Sequence, residues 1–264
     1  MIHPADSVAP APVVLIAGPG EPTHIVYHAL QASVGVARVI IEEPVGAKQL
    51  LKRRLEKLGW ATVAGQVLFK VVVEKPLKLT AGGRLHQIKT GYGLNDAAIP
   101  AEKVLRVSSI NSPEAIAALQ ALQPGVVVVQ GTRIIAKRVL QSVACPFINM
   151  HAGITPRYRG VHGGYWALAT GDTAHCGVTV HLVDAGIDTG GVLAQALIEP
   201  TPADSYVTYP LLQLAAGLPL LVQAVRAALA GTLRPLPKEE AGPSRLWSHP
   251  TLGQWLSGRL RGVK

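Results

Sequence analysis

The feature that most restricts how this chain can fold is a succession of short, wholly apolar runs rich in β-branched residues, separated by helix signals. Val13–Ala17 (VVLIA) ends in Gly18-Pro19-Gly20, and Val126–Gln130 (VVVVQ) follows Pro124-Gly125. Apolar runs bounded by glycine or proline turns read as strands buried on both faces. Residues 36–41 and 147–150 supply two further strands, and residues 103–107 a weaker one. Helix signals fall between them. Thr23 is placed to cap a helix. Ser112-Pro113-Glu114 offers a capping hydroxyl, a proline at the first helical position and an acid near the positive helix end, and opens a helix that runs to Leu122. Another helix lies near residues 136–141. Such alternation predicts an α/β fold: a Rossmann-like, open, mostly parallel twisted sheet with helices on both faces.

An inserted helical segment interrupts the pattern. About sixty residues, 43–100, separate the second strand from the third, far more than a tight crossover needs. Here Lys48, Lys52, Arg53, Arg54 and Lys57 surround Leu51, Leu55 and Leu58. The three leucines share one helical face and mark it as the packed side. Residues 67–73 are apolar apart from Lys70. Beyond residue 200 the alternation stops. Residues 209–229 read as one apolar helix interrupted by Gly217 and Pro219, and residues 234–264, rich in proline, glycine and basic side chains, read as a wrapping tail. Residues 1–200 are therefore expected to form the catalytic domain, and 201–264 a helix and tail of that same domain.

Composition narrows the class of function. Apolar residues make up 48% of the 264-residue chain, enough for a sizeable core, and the formal net charge is +9. That charge suits an anionic partner: a phosphorylated small molecule, a nucleotide sugar, RNA or a membrane surface. The two cysteines, Cys145 and Cys176, form no C-x-x-C pair, so neither a zinc ribbon nor a disulfide framework is expected, and a reducing, cytoplasmic setting fits. Residues 1–12 lack an apolar core behind a basic start, so no secretory signal is expected. No charge-free stretch of about 18 apolar residues predicts a transmembrane helix. His151, His162, His175, His181, Cys176 and Asp184 show no metal-ligand spacing, and no metal is expected.

Chemistry concentrates in residues 148–195. Asn149 and His151 alternate at the end of a strand, so both side chains face one crevice at the carboxyl end of a parallel sheet, where open α/β folds place ligands. Asp188 lies in a loop flanked by Gly186, Gly190 and Gly191, which lets backbone approach a ligand. An amide and a protonated imidazole can donate to a developing oxyanion, and a carboxylate can orient and charge the imidazole. With no serine or cysteine in a nucleophile elbow, direct attack by a substrate amine is the natural route for acyl transfer.

The ordered pattern N-x-H, P-x-Y-R-G, W-A-L, G-V-T-V-H and D-x-G-x-D-T-G resembles the folate-dependent formyltransferase domain, a family that includes glycinamide ribonucleotide, methionyl-tRNA and sugar-nucleotide formyltransferases. The likeness extends more weakly upstream, through VVVVQGTRII to the first strand. The resemblance implies an enzyme that moves a formyl group from 10-formyltetrahydrofolate to the primary amine of a small anionic acceptor, a sugar nucleotide or a phosphorylated amine such as glycinamide ribonucleotide. It implies Asn149, His151 and Asp188 as catalytic residues. It implies a folate cradle from Arg133, Ile134 and Ile135 with Val183, Asp184, Ala185, Gly186, Ile187 and Thr189. Acceptor contacts are expected from Gly18, Pro19 and Gly20 and from Arg157, Arg159, Gly160 and His162, although Arg157 to Gly160 serve equally well as pins for their loop. Pro19 and Pro22 remove two backbone donors that a phosphate loop would use. The chain lacks the long C-terminal domain of the methionyl-tRNA enzymes, which sets tRNA aside as acceptor, and an extra N-terminal domain like that of the formyltetrahydrofolate hydrolases. Two alternatives accompany this reading: hydrolysis of formyltetrahydrofolate, and a catalytically silent binding protein that docks RNA or an anionic membrane through its basic insertion. The plainest reading of the cations at 48–57 is a solvated helix face.

Overall fold

The structure is a computed structural model that describes residues 11–237 and 243–264. The expectation for residues 1–12 falls largely outside them, as do residues 238–242 of the tail.

The apolar runs become the parallel part of one seven-stranded sheet. Strands β1 (Val13–Ala17), β2 (Arg38–Glu42), β3 (Val104–Val107), β4 (Val126–Gln130) and β5 (Phe147–His151) lie in the order β3-β2-β1-β4-β5. β7 (Gly177–Leu182) and β8 (Val192–Leu197) extend it antiparallel beyond β5. β6 (Tyr158–Gly160) and β9 (Arg245–Trp247) pair in a separate small sheet. β2 starts two residues later than the sequence suggests, because Val36 still belongs to the turn, where its N–H donates to Gln31 Oε1.

Successive strand residues face opposite sides, and each side has its own core. Leu15, Val39, Val128 and Ile148 pack beneath α1 (Glu21–Ser33) and α9 (Tyr209–Leu229), whereas Val14, Ile40, Val127 and Val129 pack beneath α6 (Pro113–Leu122) and α7 (Lys137–Leu140). Every residue of β1 is buried, which is why it reads as an unbroken apolar run rather than an alternating one.

Helix ends follow local chemistry. Ser112 Oγ accepts from Ala115 N as its position predicts. Thr23 does not cap α1: the helix begins at Glu21 behind Gly20, whose φ of 133° suits glycine, and Thr23 Oγ1 instead donates to Gly18 O at 2.7 Å. α9 is not interrupted. It continues through Gly217 and Pro219, since its buried apolar face offsets a proline cost of about 3 kcal/mol. Gly217 lets the helix approach the sheet, because a Cβ there would stand 2.4 Å from Met150 Sδ.

The insertion folds as α2 (Ala47–Leu58), then a continuous helix made of α3 (Trp60–Phe69), a π-helical turn (Lys70–Glu74) and α4 (Lys75–Thr80), then α5 (Gly82–Gly91). The leucine face of α2 is not the packed side that periodicity suggests. No α2 residue is buried, and Leu51 and Leu55 are 45% and 40% exposed. α3 is the anchored element. Its Gln66 Nε2 donates to His249 O, Phe69 meets the Tyr206 ring edge-on, and α10 (Leu252–Leu260) packs across it. Arg84 of α5 makes a two-pronged ion pair with the fully buried Asp204. The insertion and the tail thus clasp each other beside α8 (Gly163–Ala169).

Two expectations test this packing. Gly18 and Gly131 close the gap between β1 and β4, and a Cβ on Gly18 would stand 2.4 Å from Gly131 O. Gly18→Ala forces backbone apart and lowers stability by about 1–3 kcal/mol; an unchanged urea midpoint would contradict this close approach. His162 stacks on Tyr206 and lies 3.1 Å from His249. Burial, aided by the His249 ring, pushes its pKa down to about 3. The unfolded chain takes up this proton below about pH 6.5 and the folded chain does not, so stability is complete above that pH and is lost at about 1.4 kcal/mol per unit as pH falls. His162 has a φ of 57°, a conformation asparagine tolerates. In His162→Asn the slope of unfolding free energy between about pH 6 and 4 therefore drops by close to one proton. Urea titrations at stepped pH that return the parent slope would disprove it.

Candidate active site

β1 and β4 are neighbours whose following helices leave in opposite directions along the sheet, so a crevice opens beyond their carboxyl ends. There lies a cavity of about 520 Å³ lined by the ends of β4 and β5, the loops at 131–135 and 183–188, and residues 160–162. Asn149, His151 and Asp188, far apart in sequence, meet in its wall.

Asp188 adopts a φ of 51°. Oδ2 accepts from Gly160 N at 2.9 Å and lies 3.4 Å from His151 Nδ1, while Oδ1 lies 3.7 Å from His181 Nε2. Burial works against this charge, but the His151 ring and the Gly160 N–H hold the carboxyl below the usual carboxylate range. The loop is shaped by its own glycines. A Cβ on Gly190 would stand 1.7 Å from Leu182 O, and Asp184 Oδ1 accepts from Gly186 N and from Thr189 Oγ1 at 2.6 Å.

His151 is buried, and Nε2 donates to Tyr158 O at 2.7 Å. Burial pushes its pKa below the ordinary imidazole value, opposed by Asp188 and by the Tyr158 carbonyl. Both ring nitrogens face acceptors, so a proton gained at Nδ1 meets a carboxylate already in place. Asn149 Nδ2 lies 3.1 Å from His181 Nε2, and His181 Nδ1 lies 2.7 Å from Leu182 O. That carbonyl only accepts, so the ring proton sits on Nδ1 and Nε2 accepts from Asn149. One Asn149 N–H is fixed by this bond, which leaves the other for a ligand oxygen.

The remaining sequence-derived positions divide. Arg133, Ile134, Ile135, Val183, Asp184, Gly186 and Ile187 line the cavity; Ala185 and Thr189 do not, and Thr189 ties the loop through Asp184. Arg133 is held by the buried Glu42 at 3.2 Å and donates to Ser108 O. Gly160 and His162 also line the cavity, whereas Arg157 and Arg159 are outside its lining. Arg157 lies 3.6 Å from Asp172, and Arg159 Nη1 donates to Ile187 O. Gly18, Pro19 and Gly20 are not in the lining. Among the described residues no group of His, Cys, Asp or Glu is arranged to hold a metal ion.

Two residues escaped the sequence reading. His181 orients Asn149; its signal was the last position of G-V-T-V-H. Gln130 is the polar end of an otherwise apolar strand. Its Oε1 is buried and accepts no hydrogen bond among the described residues. Gln130 also borders a second, mainly apolar cavity of about 280 Å³, bounded by Glu21, Leu85, Met150 and Leu211, which adjoins the first through Gln130, Met150, Ala152 and Pro210.

The family model described as formyl transferase matches residues 27–224. The chain is 31% identical over 221 residues to the methionyl-tRNA formyltransferase of Anaeromyxobacter sp. (strain K), covering 79% of this chain and 68% of that protein. It is 40% identical over 132 residues to that of Synechococcus sp. (strain JA-3-3Ab), covering 49% and 40%. Among solved structures it shares its fold with a sugar N-formyltransferase from Shewanella sp FDAARGOS_354 (TM-score 0.56, 15% identity, 95% and 87% of the two chains). It also shares it with glycinamide ribonucleotide transformylase 1 from Symbiobacterium toebii (TM-score 0.54, 18% identity, 84% and 89%). These relatives' names correct one expectation: the shortness of the chain is no ground for setting tRNA aside. The fold, the cleft beyond β4 and β5 and the matched profile lead to one conclusion: this chain belongs to the formyl transferase family.

Proposed function

We propose that the chain transfers the formyl group of 10-formyltetrahydrofolate to a primary amine by direct attack, in the cleft where Asn149, His151 and Asp188 converge. The observation that carries this reading is the Asn149 amide, held by His181 with one N–H left over, beside a buried histidine backed by a carboxylate. The free Asn149 N–H receives the oxyanion as the amine nitrogen bonds to the formyl carbon. The amine proton passes to Nδ1 of His151, where Asp188 stabilises the imidazolium. It then moves to N10 of the folate as the C–N10 bond breaks. His151 is neutral before attack and charged during it, so the Asp188 interaction grows toward the transition state, as catalysis requires. The apolar lip at Ile134 and Ile135 and the loop at 183–189 would hold the pterin, with no metal.

For the acceptor, the proposed entrance is the second cavity, with Gln130 Oε1 accepting from the amine. The chain's +9 charge supports a small anionic amine, a sugar nucleotide or a phosphorylated amine, and the names of the structural neighbours point the same way. A second reading, methionyl-tRNA, is favoured by the names of the sequence relatives. We place the reaction in the cytoplasm, in keeping with two unpaired cysteines, and read residues 1–200 and 201–264 as one catalytic unit because α9 packs into the core of the sheet.

Mass detection of formylated product separates these readings, with an amino-sugar nucleotide, glycinamide ribonucleotide and methionyl-tRNA as acceptors. Formate release without any acceptor would identify a hydrolase, and no turnover with any of them would leave a binding protein. His151→Ala and Asp188→Ala each lower turnover on the order of a hundredfold or more with the fold intact; near-normal turnover would sink the assignment. His181→Leu lowers kcat by more than it weakens folate binding, because it frees the Asn149 amide and only edges the cradle. Exhaustive chelation leaves activity in place, and loss on chelation with recovery on added zinc would overturn the metal-free mechanism.

A further inference from the structure

The insertion presents to solvent what a soluble surface ordinarily hides. In the continuous helix 60–80, Val63, Gln66, Phe69 and Val73 face inward. The opposite stripe is not polar. Trp60 is 78% exposed, and Val67, Leu68, Val71 and Val72 are each 48–53% exposed. These four fall on adjacent i, i+4 rows, so they form one contiguous aliphatic ridge. α2 lies beside α3 with Leu50, Leu51 and Leu55 also open to solvent, and α10, packed on α3, adds Leu256 and Leu260 at 51% and 90% exposure.

The same segment holds most of the chain's excess of positive over negative charge. Residues 47–80 contain eight lysines and arginines against Glu56 and Glu74, in a chain of formal charge +9. Among the described residues only Lys78 of these eight has a carboxylate partner, Glu74. Cations interleaved with exposed aliphatic side chains and a tryptophan select among partners. A second copy of the chain would bring two strongly positive faces together. A nucleic acid would neutralise the charge but do nothing for the aliphatic ridge. Protein interfaces bury apolar cores from which lysine is depleted. An anionic bilayer rewards both features, because aliphatic side chains and tryptophan enter the headgroup boundary while lysine and arginine stems snorkel back to the phosphates.

We propose that α2, the helix 60–80 and α10 form a docking surface for an anionic membrane, with the aliphatic ridge at 67–72 seated in the headgroup region. By length and composition α9 alone among the described residues could cross a bilayer, but 61% of its apolar window is buried in the fold. The contact is therefore peripheral.

The test is flotation of the full chain with vesicles. Phosphatidylcholine vesicles carrying about one third phosphatidylglycerol are compared with pure phosphatidylcholine vesicles, at physiological and at high salt. The protein floats with the anionic vesicles only, and high salt weakens the association. Lys52→Gln, Arg53→Gln and Lys57→Gln together lower the partition coefficient about a hundredfold, at roughly fivefold per cation. Arg54 is spared because it donates to Gln66. Val71→Ser with Val72→Ser, exposed changes that spare the inner face, lower it by about tenfold or more. Circular dichroism and melting confirm that both variants fold, and vesicle binding is scored without reference to formyl transfer. Absence of flotation, equal flotation with neutral vesicles, or full binding by the serine pair would overturn the proposal. So would dimerisation in light scattering, or RNA retention, in place of vesicle binding.

Discussion

Asp188 sits in a left-handed backbone conformation, and its two oxygens are the meeting point of three separate segments. One reaches the Gly160 N–H of the short β6 strand and the His151 ring at the end of β5; the other faces the His181 ring at the end of β7. The loop that carries it is held by Asp184 and by glycines that no other residue could replace without collision. A negative charge this buried is costly unless partnered, and the partners are the groups proposed to do the chemistry. The carboxylate thus orders the wall of the cleft while it faces the proposed base.

The parallel half of the sheet was legible because its strands are buried on both faces and so appear as uninterrupted apolar runs. β1 and β4 end where those runs end. β7 and β8 were not read as strands from the sequence. They lie toward the antiparallel edge, where β8 is half exposed and mixes polar with apolar side chains. The start of α1 was misread because a threonine near a helix terminus can donate to a carbonyl as well as cap an N–H, and Gly20 supplied the turn instead. Pro219 misled for a related reason: helix propensity is a weak prior against a long buried face.

The candidate site could be picked out of the sequence as a set of residues but not as a set of contacts. The strand period predicted that Asn149 and His151 share a face. Nothing in the spacing told that His181 would fix the Asn149 amide, or that Arg157 and Arg159 would turn to Asp172 and to the Ile187 carbonyl. Such pairings depend on tertiary neighbours brought in by the tail and by the antiparallel strands. The insertion shows the same limit in reverse: its leucines have the period of a packed face, yet the structure leaves them in solvent.

The alternation of side chains along β4 and β5 carries a consequence for how such a chain diverges. Asn149 and His151 belong to one face of the sheet, with Val127 and Val129 as neighbours, while Gln130 and Met150 belong to the other, with Val128 and Ile148. Gln130 and Met150 line both cavities, whereas Asn149 and His151 line only the first. Odd positions thus carry the proposed reacting groups, and even positions stand where the two chambers meet. A chain diverging toward a new amine could thus change Gln130 or Met150 without touching the proposed reacting groups, but each such change would reshape both chambers at once.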